Sequence, residues 1–154
     1  MSLTIGSTPS LAADAYVRGE RRRCIDIAEF RGSWLVVALG ARTRDIRDYA
    51  PLEPAFEGAG AIVVAATPAD YHDVEAQHAE DWYVRFPVLT DVEETRRITL
   101  IVDPSGIVRH VGLQRTARET LTALETTVAA QRALCPHCGR PHTAVADHQL
   151  ARAA

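Results

Sequence analysis

The stretch "RITLIVDPSGIVR", residues 97–109, decides how this chain folds. "RITLIVD", 97–103, is an almost unbroken apolar run of strand type, as expected of a strand covered on both faces of a sheet. "PSG" reads as a tight turn, and "IVRHVGL", 107–113, as the antiparallel return strand of a hairpin.

Working outward, two more apolar runs of the same kind precede it: "SWLVVALGA", 33–41, and "AIVVAAT", 61–67. Between them, residues 43–60 read as a helix that Thr43 can cap, with Ile46, Tyr49, Leu52 and Phe56 on one face. Pro51 and Pro54 should kink or interrupt it, and Gly58 and Gly60 end it. Residues 68–84 read as a second helix, with Tyr71, Val74, Ala79 and Trp82 turned inward. "FPVLTD" looks like a short extended link, "CIDIAEF" like a weak early strand, and residues 1–20 like an irregular lead-in. The clearest helix is 116–134, with Leu121, Leu124, Val128 and Leu134 along one stripe. The order β, β, α, β, α, β-hairpin, α contains a βαβ unit, hence parallel strands joined by a right-handed crossover. The expected fold class is α/β and thioredoxin-like: a central mixed sheet flanked by helices on both faces. One domain, 1–134, would carry a C-terminal Cys/His tail, 135–154.

The bulk properties narrow the function. The chain has 154 residues, 47% hydrophobic and 24% charged, and a net charge of −3. The pI is about 6.1. No dedicated nucleic-acid surface is expected at that charge, and the short run Arg21, Arg22, Arg23 has acidic neighbours at Glu20 and Asp26. No segment is long and apolar enough for a membrane span, and the N-terminus lacks the basic and apolar regions of a signal peptide. A cytoplasmic location is therefore expected. Three cysteines in a reducing compartment point to metal binding or redox chemistry before a structural disulfide framework.

The pieces "IDIAEFRGSWLVVALGARTRDI", "AIVVAAT", "FPVLTD" and "RRITLIVDPSGIVRHVGL" together resemble the alkyl hydroperoxide reductase / thiol-specific antioxidant branch of the peroxiredoxins. They follow that family's order over roughly residues 20–130, and the arginine, strand, Asp-x-x-Gly turn and return strand of 97–109 are the most specific part. The resemblance implies a site at the start of the helix after the long buried strand, in the pattern Pro-x-x-x-Thr-x-x-Cys. There a thiolate attacks peroxide, while the helix N-terminus and an arginine stabilise the negative charge. Thr43 matches the threonine and Arg97 the arginine, but Leu39 stands at the proline position and Ile46 at that of the peroxidatic cysteine. An isoleucine can neither attack peroxide nor form a sulfenic acid. Thr43, Ile46 and Arg97 are thus expected to be a vestigial pocket, explained by helix capping, core packing and ion pairing. Peroxiredoxin-like proteins commonly dimerise, so the resemblance implies a homodimer. Cys24, flanked by "RRR", is a weaker candidate nucleophile, and a lone strand cysteine is more often a small buried hydrophobe.

The tail "ALCPHCGRPH", 133–142, holds the other two cysteines, Cys135 and Cys138. With His142 and His148 the spacing C-x2-C-x3-H-x5-H offers two thiolates and two imidazoles, the donor set of a tetrahedral zinc site. His137, between the cysteines, would point outward. The alternative is a redox pair, Cys135 and Cys138 cycling between dithiol and disulfide with a thiol reductant or protein partner. Against it, the motif follows the last helix instead of opening one, and Gly139 and Pro141 come next. His72, His78 and His110 read as surface residues, and Trp34 and Trp82 as core. No organic cofactor is expected. Two function classes remain: a peroxiredoxin-like binding or regulatory module with a zinc-tied tail, and a thiol–disulfide oxidoreductase.

Overall fold

Val36, Val37, Val64, Leu100 and Ile101 have no exposed surface at all, because three apolar strands lie side by side in the middle of one sheet. The computed structural model describes residues 3–81, 84–113 and 116–134. In it β3 (Trp34–Leu39) runs parallel to β4 (Ala61–Ala66) and antiparallel to β6 (Ile98–Val102). Val36 stands opposite Val63 on one side and Ile101 on the other. β7 (Val108–Leu113) returns along β6 as the outermost strand.

On the other flank the sequence expectation is corrected. The supposed lead-in contains β1 (Ala12–Tyr16), and the supposed link contains β5 (Val88–Leu89). β5 runs parallel to β4, β1 lies antiparallel between β5 and β2 (Arg23–Asp26), and the sheet order is β2-β1-β5-β4-β3-β6-β7. "AADAY" carries little strand propensity of its own; pairing on both sides makes it a strand. The early "CIDIAEF" divides after Asp26 into a single 3-10 turn, Ile27–Phe30, closed by Asp26 accepting from the Ala28 amide and Glu29 from the Asp26 amide.

The 43–60 helix is interrupted where its prolines sit. α1 (Thr43–Tyr49) gives way to a 3-10 turn at Ala50–Leu52, then α2 (Glu53–Gly58) begins with Pro54 in its first turn. α3 (Tyr71–Asp81) is shorter than expected, and α4 (Ala117–Arg132) opens on the Thr116/Glu119 reciprocal cap. Leu124 and Val128 are buried, whereas Leu121 and Leu134 are half-buried. The cover is unequal: buried residues of all four helices join one cluster, with Val36, Ala38 and Ile101. The opposite face, with Leu35, Val37 and Leu100, is closed by Ile27 and Phe30 of the 3-10 turn and by Leu3 and Leu11.

Two single-residue expectations change. Cys24 is exposed: it lies on the outermost strand opposite Asp14, on the other side from buried Ile25. His78 is buried, its ring 4.2 Å from that of Tyr16, while His72 is exposed and His110 and Trp34 half-buried. Trp82 lies outside the described residues.

Candidate functional site

β3 delivers the chain to the site through Gly40. Its φ of +61° suits glycine, and a Cβ there would stand 2.5 Å from the Arg96 carbonyl oxygen. The absent side chain lets the segment before β6 pass directly over the end of β3, which brings Arg97 against α1.

Arg97 meets the one carboxylate that α1 turns inward. Its Nε lies 3.2 Å from Asp45 Oδ2, and its terminal nitrogen bonds Asp45 Oδ1, a two-point fork that a planar guanidinium makes well. Asp45 Oδ2 also accepts the Arg42 amide at 2.9 Å. Asp45 is 9% exposed and Arg97 44%. Thr43 does not cap the helix as expected. Arg42 is the N-cap and Thr43 the first helical residue, and the Thr43 hydroxyl donates to Gln77 Oε1 of α3 at 2.8 Å. Ile46 is 1% exposed in the core. Thr43, Ile46 and Arg97 thus gather around the first turn of α1, each with a partner inside the chain.

α1 is tied to α4 by polar groups. Asp48 Oδ2 accepts the Ala117 amide at 2.7 Å. The Tyr49 hydroxyl donates to Thr120 Oγ1, which donates in turn to the Thr116 carbonyl, both at 3.1 Å. Burial pushes the Tyr49 hydroxyl pKa up, keeping it a neutral donor. Between the helices opens a cleft of about 850 Å³, whose charged lining includes Arg42, Arg44, Arg47 and Arg97. Sequence reasoning missed Asp45, Asp48 and these α1 arginines. The signal was "RTRDIRD", 42–48, three arginines and two aspartates around a single core residue.

AhpC of Enterococcus faecalis superposes with a TM-score of 0.74 at 17% identity, over 86% of this chain and 98% of that one.

The chain has the peroxiredoxin fold.

The mitochondrial 2-Cys peroxiredoxin of Plasmodium falciparum gives 0.76 at 14% identity, over 87% of this chain and 100% of that one. Mycobacterium tuberculosis AhpC gives 0.69 at 21%, over 90% and 99%. No protein-family model matches the sequence, and no curated protein matches it. Cys135, Cys138, His142 and His148 lie outside the described residues. Among the described residues, no three His, Cys, Asp or Glu side chains cluster as metal ligands do, and no helix is long and apolar enough to cross a membrane.

Proposed function

We propose that this peroxiredoxin-fold chain works as a binding or regulatory module and not as a peroxidase. The carrying observation is the Asp45–Arg97 fork: the arginine that would stabilise a departing peroxide oxygen is held by a carboxylate of the chain itself. Ile46, buried at 1% exposure, stands at the nucleophile position, and the Thr43 hydroxyl is directed to Gln77. The tail holds zinc through Cys135, Cys138, His142 and His148, a donor set of the charge and softness that zinc takes, in a cytoplasmic setting that keeps both thiols reduced. The protein acts as a homodimer. In support, β7 is an edge strand whose last residue, Leu113, is 80% exposed, and an open edge recruits a further strand.

Zinc per chain in metal-unsupplemented protein, with thiols counted before and after chelator, tests the tail. About one zinc per chain, with two thiols released by chelator, is expected, alongside peroxide consumption no faster than that of Cys24→Ser. Absence of metal, together with a Cys135–Cys138 disulfide that a small thiol reduces, makes the protein a thiol–disulfide oxidoreductase instead. Peroxide turnover lost in Cys24→Ser would restore a peroxidase.

A further inference from the structure

Arg42 at the N-cap of α1 and Arg44 and Arg47 within it line the 850 Å³ cleft and are exposed. The same lining holds three carboxylates, so the question is which of the charges are already engaged. Asp45 is bound to Arg97 and to the Arg42 amide. Asp48 holds the Ala117 amide. Glu119 accepts from both the amide and the hydroxyl of Thr116. Every acid in the cleft therefore serves a backbone donor that fixes a helix end. Among the described residues, by contrast, the guanidiniums of Arg42 and Arg44 have no hydrogen-bond or ion-pair partner. Arg44 and Arg47, three apart, are neighbours on the helix surface, where like charges destabilise a helix. Arg42 and Arg44, without such hydrogen-bond or ion-pair partners on one cleft wall, leave their donors free for a ligand.

The geometry points to a binding site for a phosphorylated small molecule in this cleft, with Arg42 and Arg44 as its principal contacts and Arg47 at its side. This rests on the binding-module reading above and names the ligand class. A guanidinium fork fits either a carboxylate or a phosphate, but a single carboxylate fills one fork, as Asp45 does for Arg97. A phosphoryl group presents three oxygens and up to two charges, so it can bridge two guanidiniums at once. The cleft's size falls in the range of about 300–1,000 Å³ usual for small-ligand sites.

The test is calorimetric titration of the full-length protein with sodium tripolyphosphate in low salt, with succinate as the carboxylate control. Tripolyphosphate is expected to bind at least about 10-fold more tightly than succinate, and Arg42→Ala/Arg44→Ala to weaken it roughly 10- to 100-fold, the loss of charge-assisted hydrogen bonds. Arg42→Lys/Arg44→Lys keeps the charge without the fork and should fall between. Arg132→Ala removes the same kind of charge about 20 Å away at the far end of α4 and should change affinity less than about 2-fold. Arg42 and Arg44 are exposed and, among the described residues, their side chains bond to no other, so the double variant should keep its melting temperature; the single variants, each expected to lose part of the affinity, serve if it does not. Failure of the unmodified protein to bind tripolyphosphate at millimolar concentration, equal affinity for succinate, or an equal loss in Arg132→Ala overturns the site. Peroxide turnover, measured in parallel, would sink the binding-module reading whatever tripolyphosphate does.

Discussion

The hairpin turn after β6 and the first turn of α1 are each built on one aspartate and one arginine, but the two pairs are put together differently. At the turn, Asp103 accepts the amides of Ser105 at 2.9 Å and Ile107 at 3.0 Å, and its other oxygen takes Arg109 Nε at 2.6 Å. All of these partners lie within six residues, and the pair is 4% and 30% exposed. Gly106, at φ +86°, completes the turn, with a Cβ there only 2.9 Å from Arg31 Nε. At α1 the partners Asp45 and Arg97 are 52 residues apart, and Arg97 remains 44% exposed. The first pair is a local staple that any chain with "DPSGIVR" can form as the hairpin closes. The second exists only after β3 and β6 have paired and Gly40 has let the chain pass, and half of it stays in reach of solvent and ligand.

If that contrast is right, Asp103→Ala should have the largest effect. Removing a buried acceptor of two amides and a guanidinium should cost about 3–5 kcal/mol in urea unfolding. Gly40→Ala should follow, at about 2–3 kcal/mol, since both the positive φ and the close Arg96 carbonyl oppose a Cβ. It should also separate Arg97 from Asp45, visible as a shift of the Arg97 Nε–H resonance. Asp45→Ala should cost only about 1–2 kcal/mol, because the freed Arg97 guanidinium is already partly hydrated. Losses equal to those of Asp103→Ala would show that the α1 pair is as structural as the turn and break the comparison. The smallest effect belongs to a half-buried acid beside the site, Glu94. Three hydrogen bonds, two from the Arg96 side chain and one from its amide, lower the Glu94 carboxyl from about 4.5 to about 2. A lowered pKa means that its contribution to stability is complete above pH 4.5 and fades as pH falls toward 2. NMR titration should find that low midpoint, moving upward in 1 M salt as the half-exposed pair is screened; a midpoint near 4.5 in low salt would remove the pair from the account.

How much of this was legible depends on how far each signal travels along the chain. The runs "WLVVAL", "AIVVAA" and "ITLIV" announce buried strands because burial on both faces leaves no polar positions. Pro51 and Pro54 announce the break between α1 and α2 because the missing amide acts within one turn. β1 and β5 were not legible, since "AADAY" and "VL" owe their extended form to neighbours that come from elsewhere. The positions of Thr43, Ile46 and Arg97 around one helix turn were readable from family likeness, but not Asp45, whose carboxylate decides what Arg97 does, nor Gln77, which takes the Thr43 hydroxyl.

The sequence by itself determined the central strands, the hairpin with its Asp103 turn, the proline break and the absence of a thiol at residue 46, because each follows from the chemistry of residues close together in the chain. Only the tertiary structure decided that Arg97 is held by Asp45, that Cys24 lies outward on an edge strand, and that the arginines of α1 open onto a shared cleft. Those facts depend on which strands become neighbours, and a charge finds its partner only when the sheet has brought it there.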